Sequence, residues 1–159
     1  MIFSAVRKGE FFDKWWDSED HKNYVRPGDD ITFDDTVINI GNGMDPKSGV
    51  FTAPVSGIYS FSFSAVQRFF KGNLHYIKGL IQVMKGGEVE FYISNVYDQM
   101  RFIHDENISH SWTMSLDQNE EVKLKVDDLS DCVVMVNNDP NDIGSKFAWF
   151  NGQLLDASE

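Results

Sequence analysis

Residues 31–65 read ITFDDTVINIGNGMDPKSGVFTAPVSGIYSFSFSA, and this stretch decides the fold. Its last nine residues, Gly57–Ala65, alternate large apolar side chains with small polar ones, a period of two that is typical of a β-strand with one face in a core. Val37–Ile40 is also strand-like, and the GNGMDPKSG that follows predicts a loop because it is rich in glycine and proline. We therefore expect short strands joined by breaker-rich turns.

Strand patterns continue on both sides of this stretch. Further strands are predicted at Ile2–Lys8, His75–Met84, Val89–Val96, Ser109–Leu116, Val122–Val126, around Cys132, and at Phe147–Leu155. The connections are predicted as a corner at Gln67–Asn73, a tight hairpin at Lys85–Glu88, and acidic loops at Tyr97–Asn107 and Asp127–Ser145. About ten short strands without a long helix indicate an all-β sandwich.

The order and spacing of aromatic residues resemble the globular head domain of the complement C1q family. The matching positions are Phe33, Asn39, Met44, Phe51, Gly57, Tyr59, Phe61 and Phe63, where Met44 departs from the family pattern in not being aromatic. Phe3-Ser4-Ala5 and the Phe147–Leu155 stretch are similar to the first and last strands of the family, so the resemblance covers nearly the whole chain.

This resemblance implies one domain over residues 1–159 with the ten-stranded jelly-roll sandwich of the C1q and tumour necrosis factor superfamily. It also implies a homotrimer, in which the inner sheet packs against two other copies around a three-fold axis. Within each copy we expect a largely buried core of Phe51, Tyr59, Phe61, Phe63, Trp149 and Leu154.

Composition excludes several classes of function. The net charge of −11 would repel nucleic acid and anionic lipid. No apolar run approaches the roughly 20 residues that span a membrane, so membrane insertion is not expected. No hydrophobic signal segment follows Met1, so either the sequence begins at the domain itself or the protein is not classically secreted. We favour the first, because strand-like sequence starts at Ile2. The single cysteine, Cys132, allows no internal disulfide and is predicted to be a buried, inert thiol.

Motifs for catalysis are missing from the sequence. There is no Gly-x-Ser-x-Gly elbow and no phosphate-binding Walker loop. The four histidines (His21, His75, His104 and His110) do not have the spacing of a zinc site. A jelly-roll enzyme would need convergent histidine and carboxylate groups, so we expect a protein that is not an enzyme.

The acidic segment Tyr97–Asn107 is a candidate calcium site. In some members of the family that the chain resembles, the matching tyrosine-aspartate loop supplies calcium ligands. The resemblance therefore implies calcium as a cofactor, bound by Asp98 together with Asp105 or Glu106 near the three-fold axis. The alternative is an acidic loop that is simply solvated.

Two further groups of residues are candidates for contacts with partners. Phe11, Phe12, Trp15 and Trp16 either cap one end of the core or form an exposed aromatic patch, and Trp15, Trp16 and Arg68 are the candidate ligand-binding residues. The small polar residues that alternate with the core positions either meet water or let two sheets approach closely. We favour the subunit contact for these six, which are Ser60, Ser62, Ser64, Ser111, Thr113 and Ser115.

The function implied by the resemblance is that of a secreted, extracellular recognition module. As a homotrimer it would present three identical sites to microbial-surface glycans or lipopolysaccharide in innate immune pattern recognition. The alternative is a cerebellin-like or cytokine-like ligand of a cell-surface receptor, since Val37–Asn42 and Ile58–Phe63 are similar to cerebellin-type heads.

Overall fold

The computed structural model describes residues 1–11, 22–69, 75–99, 104–141 and 145–158, and the side chains of all of these except residues 75, 76, 98 and 99. The described residues form twelve β-strands and no helix. Accordingly, none of them belongs to a helix long and apolar enough to cross a membrane. The all-β class that the sequence predicts is confirmed.

The strands are numbered in chain order. They are β1 (Ile2–Arg7), β2 (Tyr24–Val25), β3 (Asp35–Ile40), β4 (Met44–Asp45), β5 (Val50–Thr52), β6 (Gly57–Phe69), β7 (His75–Lys85), β8 (Glu88–Gln99), β9 (His104–Leu116), β10 (Glu121–Val126), β11 (Cys132–Met135) and β12 (Ala148–Ala157).

A seven-stranded sheet is built around β6. Along its path the order is β2-β11-β6-β12-β1-β3, and β9 pairs with the other side of β6 over the full length of that strand. On the first side, β12 covers the first part of β6 and β11 covers its end. The period of two that marks Gly57–Ala65 in the sequence thus identifies the strand to which three others are hydrogen-bonded.

The second sheet has five strands in the order β4-β5-β10-β7-β8. Its hairpin between β7 and β8 turns at Gly86 and Gly87, whose φ angles of 60° and 84° are the left-handed values that a tight two-residue turn requires. The hairpin predicted at Lys85–Glu88 is therefore confirmed.

The core lies between the two sheets and is dominated by aromatic rings. Phe61 is 2% exposed and has the rings of Phe51 and Phe150 within 5.6 and 5.7 Å, measured between centroids. Gly152 is needed in this packing because a Cβ there would collide with the ring of Phe3. Burial of Phe51, Tyr59, Phe61 and Phe63 confirms the four predicted core positions on β5 and β6.

The prediction for Trp149 is wrong. Its neighbours Ala148 and Phe150 are fully buried, so alternation along β12 places Trp149 on the opposite face of the sheet, opposite Ser64 of β6. Trp149 is only partly buried there, whereas Leu154 does pack against the core although it too is partly buried.

Several strands are longer than the sequence indicates, and the structure has twelve strands where the sequence predicts about ten. β8 continues to Gln99 and β9 begins at His104, so most of the loop predicted at Tyr97–Asn107 is strand. The corner predicted from Gln67 is also strand as far as Phe69. Strand pairing explains why these segments are strand and not loop. The antiparallel register of β9 with β6 continues without interruption to His104, which lies opposite Phe69. Such cross-strand hydrogen bonds hold polar sequences in a ladder regardless of local propensity.

Cys132 is buried, as predicted, at the start of β11. Its thiol contacts the hydroxyl of Ser130 at 3.2 Å. Burial raises the pKa of the Cys132 thiol to about 11, so the reactive thiolate is scarce at neutral pH.

Candidate functional site

The outward face of the seven-stranded sheet is an unusual surface, because its centre consists of small polar side chains. Ser60, Ser62 and Ser64 of β6 are half-buried and alternate with the core aromatics. Register places Ser111 of β9 opposite Ser62 and Thr113 opposite Ser60. We call this surface the serine face. It consists of Ser60, Ser62, Ser64, Ser111 and Thr113 together with the outward side chains of β1 and β12 beside them.

Hydrogen bonds run across the serine face from strand to strand. The Ser4 hydroxyl donates to Asn151 Oδ1 at 2.5 Å, and Asn151 Nδ2 donates to the Ser62 hydroxyl at 3.2 Å. Ile38 of β3 lies beside Ser4 at one end of this row, and Ser111 lies beside Ser62 at the other. These contacts pair Ser4, Asn151 and Ser62 with one another, so this part of the polar row needs fewer hydrogen bonds from water.

Isoleucines surround this polar centre. Ile2, Ile38, Ile40 and Ile58 are 37%, 37%, 57% and 44% exposed. A groove of about 670 Å³ runs over the same surface, between Ile2 and Ile38 on one side and Ser111 and Thr113 on the other. Small hydroxyls in the middle with exposed apolar side chains around them suit a flat protein partner better than they suit water.

All six serine and threonine positions singled out in the sequence lie on the outward side of the sheet. Sequence reasoning missed Ser4, Asn151, Ile2 and Ile38, which complete the surface. The available signal was the similarity of the first and last strands to family strands, but only the register of β1, β12 and β6 shows that their small polar residues share one row.

Near the C-terminal end of β6, Arg68 forms a bidentate ion pair with Asp105 of β9. Arg68 Nε lies 2.7 Å from Asp105 Oδ1, and Nη2 lies 2.9 Å from Oδ2. The hydrogen bonds that Arg68 donates to the Asp105 carboxylate raise the pKa of the guanidinium above its ordinary value. Arg68, a candidate ligand-binding residue, is thus engaged with Asp105, a candidate calcium ligand.

The proposed calcium ligands are brought together only in part. Asp105 is bound to Arg68, and Glu106 contacts the ring of His104. The backbone of Asp98 is in β8, and its side chain lies outside what the structure describes. Among the described side chains, no three or more of His, Cys, Asp and Glu are grouped so as to hold a metal. Calcium at this place would have to displace Arg68 from Asp105 and take further oxygens from elsewhere.

Trp15 and Trp16 also lie outside the described residues, and so does Phe12. Phe11, at the start of that aromatic segment, is 54% exposed.

Known proteins resemble the chain in both sequence and fold. A family model described as C1q domain matches residues 17–155. The collagen alpha-1(X) chain of Mus musculus is 30% identical over 108 residues, which are 66% of this chain but only 14% of that protein. A structure titled globular domain of zebrafish complement 1qA protein matches the fold with a TM-score of 0.62 and 16% sequence identity. The match covers 99% of this chain and 98% of that one.

Proposed function

Because the chain belongs to the C1q domain family, we propose that it is a secreted, non-enzymatic recognition module that works as a homotrimer. The observation that carries this proposal is the serine face. In a monomer, exposed isoleucines around a hydrogen-bonded row of small residues would be left in water, and association of three copies would cover them.

The ligand that we propose is a glycan or lipopolysaccharide on a microbial surface. Three identical weak sites on one trimer raise the strength of binding to a repeated ligand by 10²–10⁴-fold in order of magnitude, without any new contact. Repeated sugars on a cell surface are such a ligand, which makes innate immune pattern recognition the role that fits a trimeric head.

The runner-up is a cerebellin-like or cytokine-like ligand of a cell-surface receptor. Val37–Asn42, whose similarity to cerebellin-type heads favours this role, is an exposed edge strand and turn: Val37 is 64% exposed and Ile40 is 57% exposed. An edge strand with exposed apolar side chains is a place where another protein can pair.

A surface-binding measurement separates the two roles. The protein would be passed over surfaces that carry lipopolysaccharide or neutral glycans at high and at low density, and dissociation rates would be compared. We expect binding that dissociates much more slowly from the dense surface, as three-point attachment requires. A receptor ligand would bind neither surface, and that result would overturn the proposal.

A further inference from the structure

Two asparagine–glycine pairs occur in the sequence, Asn42-Gly43 and Asn151-Gly152. Asparagine followed by glycine is chemically labile, because the main-chain nitrogen of glycine can attack the side-chain amide before it and no Cβ restricts or shields that main chain. Ring closure requires a main chain that is free to rotate, and water must reach the product. The structure places the two pairs in opposite environments.

Asn42 lies in the exposed turn between β3 and β4. Its φ of 54° is left-handed, and glycines precede and follow it. Within the described ranges, neither the Asn42 side chain nor the main-chain N–H of Gly43 makes a hydrogen bond. The amide that would be attacked and the nitrogen that would attack it therefore have no hydrogen bonds that must break before they react.

Water reaches this turn through a groove of about 460 Å³. Asn42 and Gly43 are among the residues that line the groove, together with Asn119 and Glu121. The water that completes the reaction therefore has access to the reacting groups, and the ammonia that leaves can escape to solvent.

Asn151, by contrast, is held at both ends of its amide. The Ser4 hydroxyl donates to Asn151 Oδ1 at 2.5 Å, and Asn151 Nδ2 donates to the Ser62 hydroxyl at 3.2 Å. Gly152 is buried in β12, a strand that is paired with β1 on one side and with β6 on the other. Attack by the Gly152 nitrogen would require both side-chain bonds to break and β12 to leave the sheet, an opening that a central strand rarely makes.

We propose that Asn42 is a site of spontaneous covalent modification in the folded protein, and that Asn151 is protected from the same reaction. The nitrogen of Gly43 forms a bond to Cγ of Asn42 while the bond from Cγ to Nδ2 breaks. Ammonia leaves with the proton of the Gly43 amide, and a cyclic imide remains. Water then opens the imide at one of its two carbonyls, which leaves aspartate or isoaspartate at position 42. Water is the only co-reactant.

The reaction changes the turn in charge and in length. Both products add a negative charge at the end of β3, and isoaspartate also routes the main chain through its Cβ and so lengthens it by one carbon. Gly43 has little room to move, because a Cβ on Gly43 would lie 2.7 Å from the ring of Phe51. Its carbonyl also accepts a hydrogen bond from the Thr52 N–H at 2.8 Å. A longer turn should therefore pull Gly43 away from β5 and loosen the pairing of β4 with β5.

The reaction needs neither a glycan nor a trimer, so it is independent of the proposed function. It would act at the end of the exposed segment Val37–Asn42, in which Val37 and Ile40 are 64% and 57% exposed. Modification therefore ties the state of this edge to the age of the molecule. A protein partner that pairs with β3 would meet a different surface on old copies than on new ones.

The test incubates purified full-length protein for several weeks in mildly alkaline buffer made with heavy-oxygen water, which labels each asparagine that reacts. Peptide mapping by mass spectrometry would give the rates at Asn42 and Asn151, and electron-transfer fragmentation would separate isoaspartate from aspartate. The same incubation in denaturant is the comparison, because there the fold protects neither pair. Asn42→Gly is the matched control, since glycine tolerates the left-handed φ and has no amide to lose.

We expect the folded protein to lose the Asn42 amide at least about tenfold faster than the Asn151 amide, because reaction at Asn151 has to wait for rare opening of β12. In denaturant the two rates should become similar. Hydrogen exchange at Met44 and Thr52 should be faster in aged wild type than in fresh wild type, and age should not change it in Asn42→Gly.

Either of two results would overturn the proposed site. Equal labelling of Asn42 and Asn151 in the folded protein would mean that the fold does not select between them. Labelling of Asn42 in denaturant but not in the folded protein would mean that the turn is held too rigidly for the ring to close. Unchanged hydrogen exchange in protein that is modified at Asn42 would overturn the expected loosening of β4 from β5. Glycan binding is tested separately, so none of these results touches the proposed function.

Discussion

Phe61 is the residue on which the core depends most visibly. Its ring contacts those of Phe3, Phe51, Tyr59, Trp112 and Phe150, with centroid distances from 5.6 to 6.4 Å. These rings come from β1, β5, β6, β9 and β12, so one side chain joins the two sheets. Deleting it would leave a cavity that rigid aromatic neighbours fill poorly.

We therefore expect Phe61→Ala to lower the free energy of unfolding by about 3–5 kcal/mol. Denaturant unfolding followed by tryptophan fluorescence would measure the change. Phe11→Ala is the control, because Phe11 is 54% exposed and its loss should matter by about 0.5 kcal/mol or less. A loss below about 1 kcal/mol for Phe61→Ala would show that β6 does not face the core in this way.

Cys132 links burial to a pH dependence. The folded protein holds the pKa of this thiol at about 11, against 9.0 for the ordinary group, because burial disfavours the thiolate. At pH values between these two, the unfolded chain has lost the proton that the folded chain keeps. The contribution of Cys132 to stability is therefore intact below pH 9 and is lost as the pH rises towards 11.

The expected loss between pH 9 and pH 11 is roughly 2–3 kcal/mol, since one pKa unit corresponds to about 1.4 kcal/mol. Comparing this loss in the wild type and in Cys132→Ala isolates the thiol from the tyrosines, which also titrate there. The alanine variant should show a shallower decline. Equal declines in the two proteins would mean that the thiol is not protected by the fold, and rapid modification of native protein by a thiol reagent at pH 8 would mean the same.

At the scale of elements, periodicity predicted most of the strands, but it predicted neither the two-residue strands β2 and β4 nor where each strand ends. Gly57–Ala65 was identified because large apolar and small polar residues alternate there, and most of the other predicted strands are present. The ends of β8 and β9 were missed because residues 104–107, HDEN, have no apolar alternation of their own. They are strand because they pair with Val66–Phe69 of β6, a long-range contact that no local pattern reveals.

Only part of the candidate site could be predicted from the sequence. Outward-facing serines follow directly from alternation with core aromatics on β6. Trp149 is not a core residue, although the sequence predicts one there, because Ala148 and Phe150 on either side of it face the core and alternation turns Trp149 to the other face. The row from Ser4 to Ser111 needed the register of strands far apart in sequence.

Calcium is expected at Asp98 of β8 together with Asp105 or Glu106 of β9. Calcium that binds only the folded protein must stabilise it by mass action, by about 2.7 kcal/mol at a hundredfold excess over the dissociation constant. We expect a higher melting temperature in calcium than in chelator, and we expect Asp98→Ala to remove the difference. Asp156→Ala, at an exposed acid of β12, should leave the difference unchanged. Identical melting curves of the wild type in both buffers would contradict the calcium site.

At the scale of the whole molecule, association of three copies through the serine face is opposed by the repulsion between their negative charges. Three copies at −11 each carry −33, and like charges oppose assembly. Ser62 lies in the middle of the face, where it accepts a hydrogen bond from Asn151 and lies opposite Ser111. An arginine there would put an unpaired charge into the contact.

We expect Ser62→Arg to convert the trimer into monomers that keep the β-sandwich, with unchanged far-ultraviolet circular dichroism. Ser158→Arg introduces the same charge at an exposed residue after β12 and should leave the trimer intact. If Ser62→Arg remains a trimer, the copies associate through some other surface.

The most direct test of a three-site recognition module is the mass of the wild-type protein in solution. Light scattering on a sizing column at micromolar concentration and 0.15 M salt would report it without any label or ligand. The serine face predicts a mass three times the 18.2 kDa of one chain. A mass of 18.2 kDa would contradict the proposed trimer, because it would mean that the exposed isoleucines and the serine row stay in water.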